Sequence, residues 1–181
     1  MLDRTAHPNT RTMLEAWRRM DTAPGVLAQA GLDSDDPSGL VNNIFVLRGA
    51  ESDNWIFRTS GQSLNRFLGK QMCDENFLDL WLGADRGMVQ SVITSVLAEK
   101  GPGLIRARGE TLIGRQLDVE IALAPLPASQ GSVSRILGHY QPLGGEAMLG
   151  ERPIWRHSVT ELRTPQRPMR RSHLTLVSSR D

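Results

Sequence analysis

The apolar positions between residues 54 and 81 form the most informative pattern in the chain. Trp55 and Phe57 would share one face of an extended segment, and Ile56 and Arg58 the other. This division predicts a half-buried strand, because successive strand side chains point to opposite faces. The spacing then becomes helical, so we expect the stretch to wrap a small apolar volume with backbone rather than to cross it.

Two short helical segments are predicted after this strand. Residues 62–68 have helical spacing, and Gly69 is a natural place for that helix to end because glycine tolerates the left-handed backbone conformation. The second segment covers residues 76–81. The apolar side chains that the two segments would turn inward are Leu64, Phe67, Phe77, Leu80 and Trp81.

The remaining pattern predicts further strands and one long helix. That helix ends at Gly101-Pro-Gly103 and carries a repeating apolar face, which consists of Met88, Val89, Val92, Ile93, Val96 and Leu97. The predicted elements are strands 42–48 and 55–59, helix 84–100, and strands 104–111, 116–124 and 133–141. Their order predicts an α+β fold in which a five-stranded antiparallel sheet has the short helices and the long helix on one face.

The strand at residues 116–124 is strictly alternating. Four aliphatic residues from Leu117 to Leu123 face one way, while Asp118 and Glu120 face the other. This alternation predicts that one face of the sheet is exposed to water at that end.

The order of these features resembles a PAS domain, specifically the single-domain PAS family found mostly in alphaproteobacteria (the PAS_5 family). The resemblance covers roughly residues 9–143. It implies a PAS fold and a sensory or regulatory role. The residues that carry it are Arg58, Gly61, Gly69-Lys70, Phe77, Leu80 and Trp81, the strand 117–127 that ends in Leu126-Pro127, and the strand 134–140.

The resemblance and the distribution of charge together divide the chain into three parts. Residues 1–39 would be an N-terminal helix and linker, 40–143 the PAS core, and 144–181 a basic extension. From Glu151 onward there are seven arginines and three acidic residues, a net charge of +4, although the whole chain is at +1.

Residues 8–20 are predicted to form an amphipathic helix. Its apolar face consists of Met13, Leu14, Trp17 and Met20. Two interpretations remain open. The face could pack on the chain's own sheet. It could also contact a second subunit, because an exposed stripe containing Trp17 would be unusual for a monomer and the resemblance implies that helices flanking PAS cores commonly pair.

The resemblance also implies a concavity between the sheet and the short helices. Its candidate lining residues are Phe57, Arg58, Leu64, Phe67, Phe77, Trp81, Ile93, Ile121 and His139. A mostly apolar cavity of this kind is typical of a small-molecule site. A filled core has the same composition, and for each apolar residue we favour the core interpretation.

Arg58 and His139 are the polar members of this set. Arg58 could bind an anionic group, cap a helix end or pair with Asp74 or Glu75. The sequence does not separate these possibilities. For His139, a place on the sheet surface is favoured over contact with a ligand.

Cofactor and catalytic motifs are not evident. The histidines are scattered and do not pair with Cys73 at the spacing of metal ligands, which argues against zinc and haem. Light-sensing flavin PAS domains carry a cysteine soon after a similar glycine. In this chain the distance from Gly69 to Cys73 is one residue longer than in those domains, which argues against flavin. We therefore expect no metal, no cofactor and no enzymatic activity, with an unidentified small ligand as an option.

The expected partners follow from this interpretation. We expect a cytoplasmic location, because the sequence shows neither a secretion signal nor an apolar run long enough to span a membrane. The resemblance implies a homodimer that signals to a partner protein. The alternative is a nucleic-acid-associated regulator that uses the arginines of the extension. We favour a semi-ordered or partner-docking extension, in which Leu174–Val177 could add a strand to a sheet edge in its own or a partner subunit.

Overall fold

A computed structural model describes residues 5–22, 40–50, 54–127, 133–150 and 152–165. The predicted linker and the segment Leu174–Val177 lie outside these residues. The described elements are α1 (Pro8–Thr22), β1 (Ile44–Gly49), β2 (Trp55–Ser60), α2 (Gln62–Leu68), α3 (Gly83–Glu99), β3 (Gly103–Thr111), β4 (Gln116–Leu126), β5 (Arg135–Pro142) and β6 (Ile154–Arg163), with short 3-10 helices at Val41–Asn43, Phe77–Leu80 and Glu146–Leu149.

The strands form one antiparallel sheet in the order β2-β1-β5-β4-β3-β6. The α+β class and the positions of the first five strands are confirmed. The predicted number of five strands is wrong, because β6 pairs with β3 and comes from residues assigned to the basic extension. Two register shifts interrupt that pairing, so the inward residues of β6 do not follow the alternation that reveals a strand in a sequence.

The stretch around α2 folds as its sequence predicts. Gly69 ends α2 in the left-handed conformation at φ 69°. A Cβ at this position would lie 2.5 Å from the Cβ of Pro153, so the position also requires glycine for space. Asn76 then joins two elements, since its side-chain oxygen accepts hydrogen bonds from the backbone N–H groups of Leu78 at 3.2 Å and Trp55 at 3.1 Å.

The sheet is covered on both faces. The short helices and α3 cover the inner face, where the buried stripe of α3 consists of Val89, Val92, Ile93 and Val96. Met88 was predicted to belong to that stripe, but it is exposed because it lies one position to the side of the i, i+3, i+4, i+7 row. Helix α1 covers the outer face.

The prediction of a wet outer face is wrong at Glu120. Asp118 is exposed as predicted, but the side chain of Glu120 is completely buried. The cause is α1 and the residues before it, which cover the outer face at this point. None of the helices in the described part of the chain has both the length and the apolar character needed to cross a membrane.

Candidate functional site

The apolar residues predicted to line a cavity lie together on the inner face of the sheet. Phe57, Leu64, Phe77, Trp81, Ile93 and Ile121 are each at most 1% exposed, and the partly buried Phe67 packs against the same cluster. At its centre, the ring of Phe45 lies 5.3 Å from that of Phe57 and 5.7 Å from that of Phe77, measured between centroids. These are contact distances for aromatic pairs, so the rings pack directly on one another.

The backbone of β5 is packed equally tightly against this aromatic group. A Cβ built on Gly138 would lie 2.1 Å from two ring atoms of Phe45. Carbon atoms in contact are separated by about 3.5–4.0 Å, so the ring of Phe45 occupies the space next to the glycine. The candidate cavity residues therefore form a filled core at this position.

The two polar candidates are not part of this group. Arg58 lies on β2 next to Phe57, and its side chain is exposed. Of the acidic residues considered as its partners, Glu75 pairs instead with Lys70 at 2.8 Å. Adjacent strand residues point to opposite faces, which separates Arg58 from the inner core.

His139 is buried on the outer face, beneath α1. Its Nδ1 lies 3.4 Å from the hydroxyl oxygen of Thr10 in α1, and its pairing partner on β4 is Ala122. His139 thus lies on the outer face of the sheet, but α1 covers that face and the side chain is buried. Burial lowers the pKa of His139 to about 4, and the nearby His7 acts in the same direction.

A buried polar pair that the sequence analysis missed lies between β5 and β6. The hydroxyl of Tyr140 and Nε2 of His157 are 2.8 Å apart, and the His157 ring packs 5.2 Å from the ring of Trp81. Burial lowers the pKa of His157 to about 4, while the backbone of Leu80 acts in the opposite direction. Burial also raises the pKa of Tyr140. Both groups are therefore neutral at pH 7, and their hydrogen bond joins the side chains of β5 and β6.

The apolar face of α1 packs on the outer face of the chain's own sheet. Met13, Leu14, Trp17 and Met20 are all buried. They share a cluster with Leu104, Ala122, Ala124 and Leu137 of the sheet. A subunit contact through the four helix residues would require α1 to leave the sheet.

A set of polar contacts, which we call the helix clamp, holds the beginning of α1. One carboxylate oxygen of Glu120 accepts a hydrogen bond from the backbone N–H of His7 at 2.8 Å. The other accepts from the guanidinium of Arg106 at 3.1 Å, which also donates to the carbonyl of Thr5. The clamp therefore joins α1 to β3 and β4 through one buried carboxylate.

The far part of α1 has a separate attachment. The indole N–H of Trp17 donates to the carbonyl of Pro125 at 2.7 Å. The helix is thus held by a few directional contacts at both ends and by apolar contact between them.

The arginines of the extension that fall within the described residues are partly engaged in the sheet. Arg156 pairs with Glu110 at 2.8 Å, and Arg163 pairs with Glu161 at 2.6 Å. Both pairs lie on β6 and its neighbour. These contacts reduce the positive charge that this part of the extension could present to nucleic acid.

Cys73 is exposed, with the hydroxyl oxygen of Ser60 and the carbonyl of Arg58 each 3.9 Å from its sulfur. Within the described ranges, no three histidine, cysteine, aspartate or glutamate side chains come together as a metal site.

Comparison with known proteins gives one family match. The family model for a PAS domain matches residues 5–141, which include everything from the helix clamp to β5. No curated protein matches the chain significantly.

Similar solved structures include the PAS domain of BvgS from Bordetella pertussis, with 20% identity and a TM-score of 0.45 over 61% of this chain and 83% of that one. A light-oxygen-voltage domain studied with a flavin analogue has 13% identity and a TM-score of 0.46 over 59% of this chain and 80% of that one. An RNA-binding light-oxygen-voltage receptor has 18% identity and a TM-score of 0.47 over 68% of this chain and 33% of that one.

Proposed function

Because the chain belongs to the PAS domain family, whose members are typically sensory or regulatory, we propose that it is a non-catalytic regulatory module that signals through contact with a partner protein. The observation that carries this proposal is the packed aromatic core around Phe45, Phe57 and Phe77. Direct contact among these three rings, in the region where the resemblance suggested a ligand, supports a signal that passes through the surface.

Helix α1 is the element best placed to change that surface. Its four apolar side chains cover the outer face of the sheet, and the helix clamp and Trp17 hold it there. A partner or second subunit that binds the released state more tightly than the docked state would shift the population toward release. Homodimerisation is part of this proposal, with the released apolar faces as the contact.

Native mass spectrometry of the intact protein tests whether it carries a small molecule. We expect a mass equal to that of the protein alone or of its dimer. A small molecule that travels with the native protein and is lost on denaturation would overturn the filled-core argument and indicate a ligand sensor.

A second experiment tests the role of α1. Partner proteins would be recovered from extracts of the cells that naturally produce the protein, using the wild type, Trp17→Ala and the exposed control Glu15→Ala on the same helix. Loss of the Trp17 contact to Pro125 should change the amount of partner recovered several-fold, and Glu15→Ala should leave it unchanged. Equal recovery from all three would contradict signalling through α1.

A further inference from the structure

A groove crosses the end of the sheet between α1 and α3. It consists of two adjoining cavities of about 440 and 590 Å3 that share Leu97 and Ser134 in their walls. Its apolar lining includes Trp17, Trp55, Leu97, Leu126 and Val133. Val133 is 52% exposed, so the groove presents apolar surface to water at its outer edge.

The charged side chains in the lining of this groove are all basic. Arg48, Lys100 and Arg135 line its walls, and no acidic residue of the described chain does so. Arg135 donates a hydrogen bond to the carbonyl of Pro127 at 3.3 Å, which holds it at the groove wall. Among the described residues, the groove therefore combines three basic side chains with an apolar floor.

Two of these residues stand directly opposite each other in the sheet. Arg48 on β1 pairs in register with Arg135 on β5. Directly opposite side chains on antiparallel strands have Cβ atoms about 4.5–5.5 Å apart, and like charges in that position destabilise the pair. An anionic group between the two guanidinium groups would relieve the repulsion and could accept hydrogen bonds from both.

Other arginines of the sheet are placed differently. Arg106 stands opposite Glu120, and Arg108 stands opposite Asp118. Arg156 stands opposite Glu110. Each of these three therefore has a carboxylate as its cross-strand partner. In contrast, Arg48 and Arg135 have each other as cross-strand partners between β1 and β5.

We propose that this groove binds an acidic segment of a partner protein, with a carboxylate between Arg48 and Arg135 and an apolar side chain against Leu97 and Trp55. This inference rests on the proposed function and names the chemistry of the partner. A peptide fits better than nucleic acid, because the described lining has only three basic residues beside a largely apolar surface, whereas nucleic acid is bound through many neutralised phosphates along a continuous track.

The binding test uses a short fluorescein-labelled peptide in which glutamates alternate with leucines, measured by fluorescence anisotropy at low salt. We expect Arg48→Gln and Arg135→Gln each to weaken binding about tenfold, the loss expected for hydrogen bonds to a charged group. Arg58→Gln is the matched control, since Arg58 is an exposed arginine on the neighbouring strand β2 and outside the groove. The same peptide with glutamine in place of glutamate should bind at least as weakly as the arginine variants do.

Several outcomes would overturn the inference. The peptide could fail to bind the wild type, or bind it and both groove variants alike. An oligouridylate of equal length could bind as tightly and depend on the same arginines, which would identify the groove as a nucleic-acid site. If partner recovery still depends on Trp17 while the peptide fails, the proposed function stands and only this groove is excluded.

A stability measurement guards against variants that fail for other reasons. Removing one charge of a like-charged pair should raise the melting temperature of Arg48→Gln slightly at low salt, and added salt should shrink that gain because it screens the repulsion. Arg58→Gln should melt like the wild type. A lower melting temperature for Arg48→Gln would show that Arg48 already has a stabilising partner, which contradicts the repulsion on which the inference rests.

Discussion

Replacement of Gly138 by alanine tests whether the aromatic core is filled. The new methyl group would lie 2.1 Å from Cε2 and Cζ of Phe45 and 2.7 Å from Cδ2. Because carbon contacts require about 3.5–4.0 Å, the ring must move by more than an ångström or the strand must bend. A vacant cavity would let Phe45 swing aside, whereas a filled core would not.

The expected loss of stability follows from the side chains that surround the ring of Phe45. Phe45 is completely buried and is in contact with the rings of Phe57 and Phe77. Added volume in a well-packed core costs about 1–3 kcal/mol, and more when the overlap is large. We expect a loss of about 3 kcal/mol in the free energy of unfolding, which corresponds to a fall in melting temperature of about 6–12 °C for a chain of this size.

The assay is urea unfolding combined with thermal melting, applied to a double-mutant cycle. Phe45→Leu removes part of the ring, so Gly138→Ala in that background should cost at least about 1 kcal/mol less than in the wild type. The control is Gly87→Ala in α3, where nothing lies within 4 Å of the new Cβ. That change should stabilise the protein by about 0.5–1 kcal/mol, because alanine favours a helix over glycine.

Two results would contradict a filled core. Gly138→Ala could be as stable as the wild type, or Phe45→Leu could leave the destabilisation by Gly138→Ala unchanged. Either result would mean that Phe45 has room to move. The inner face of the sheet would then hold usable space, and a small-ligand sensor would become the better interpretation.

Three further predictions concern the clamp, the buried histidines and Asn76. Glu120→Gln should increase the hydrogen–deuterium exchange of backbone amides at the start of α1 without affecting those of β5, because it removes the charge that Arg106 pairs with; unchanged exchange would show that apolar contact alone holds the helix. His139 and His157 have native pKa values of about 4, below the ordinary value of 6.5, so the unfolded chain binds more protons between these values. Their contribution to the free energy of unfolding is fully present above pH 6.5. It declines as the pH falls toward 4, by at most about 1.4 kcal/mol per pH unit for each histidine. Urea unfolding that gives the same free energy at pH 7 and pH 4.5 would refute this pH dependence. Asn76→Ala should cost about 1–2 kcal/mol, because the cap of the 3-10 helix and the bond to Trp55 are lost together, and a melting temperature equal to that of the wild type would contradict the joint role of this side chain.

Local structure was largely predictable from the sequence. The bounds of α2 and the left-handed end at Gly69 agree with the structure, because helical spacing and a glycine stop are encoded within a few consecutive residues. The apolar face of α1 and the strands on either side of α3 were also found from their spacing. Such signals are short-range, so a single sequence contains them in full.

The tertiary structure decided which distant residues meet. Strand β6 was missed because register shifts break its alternation, and the burial of Glu120 depends on Arg106 and on the residues before α1. The opposition of Arg48 and Arg135 depends on the register between two strands that lie far apart in the chain. The amino-acid sequence alone therefore determined the elements apart from β6, most of their inward faces and the family. Cross-strand register and the packing of α1 determined the filled core, the clamp and the basic groove. Each of these features is built from contacts between segments that are distant in the sequence, and spacing along the chain does not determine distance in space.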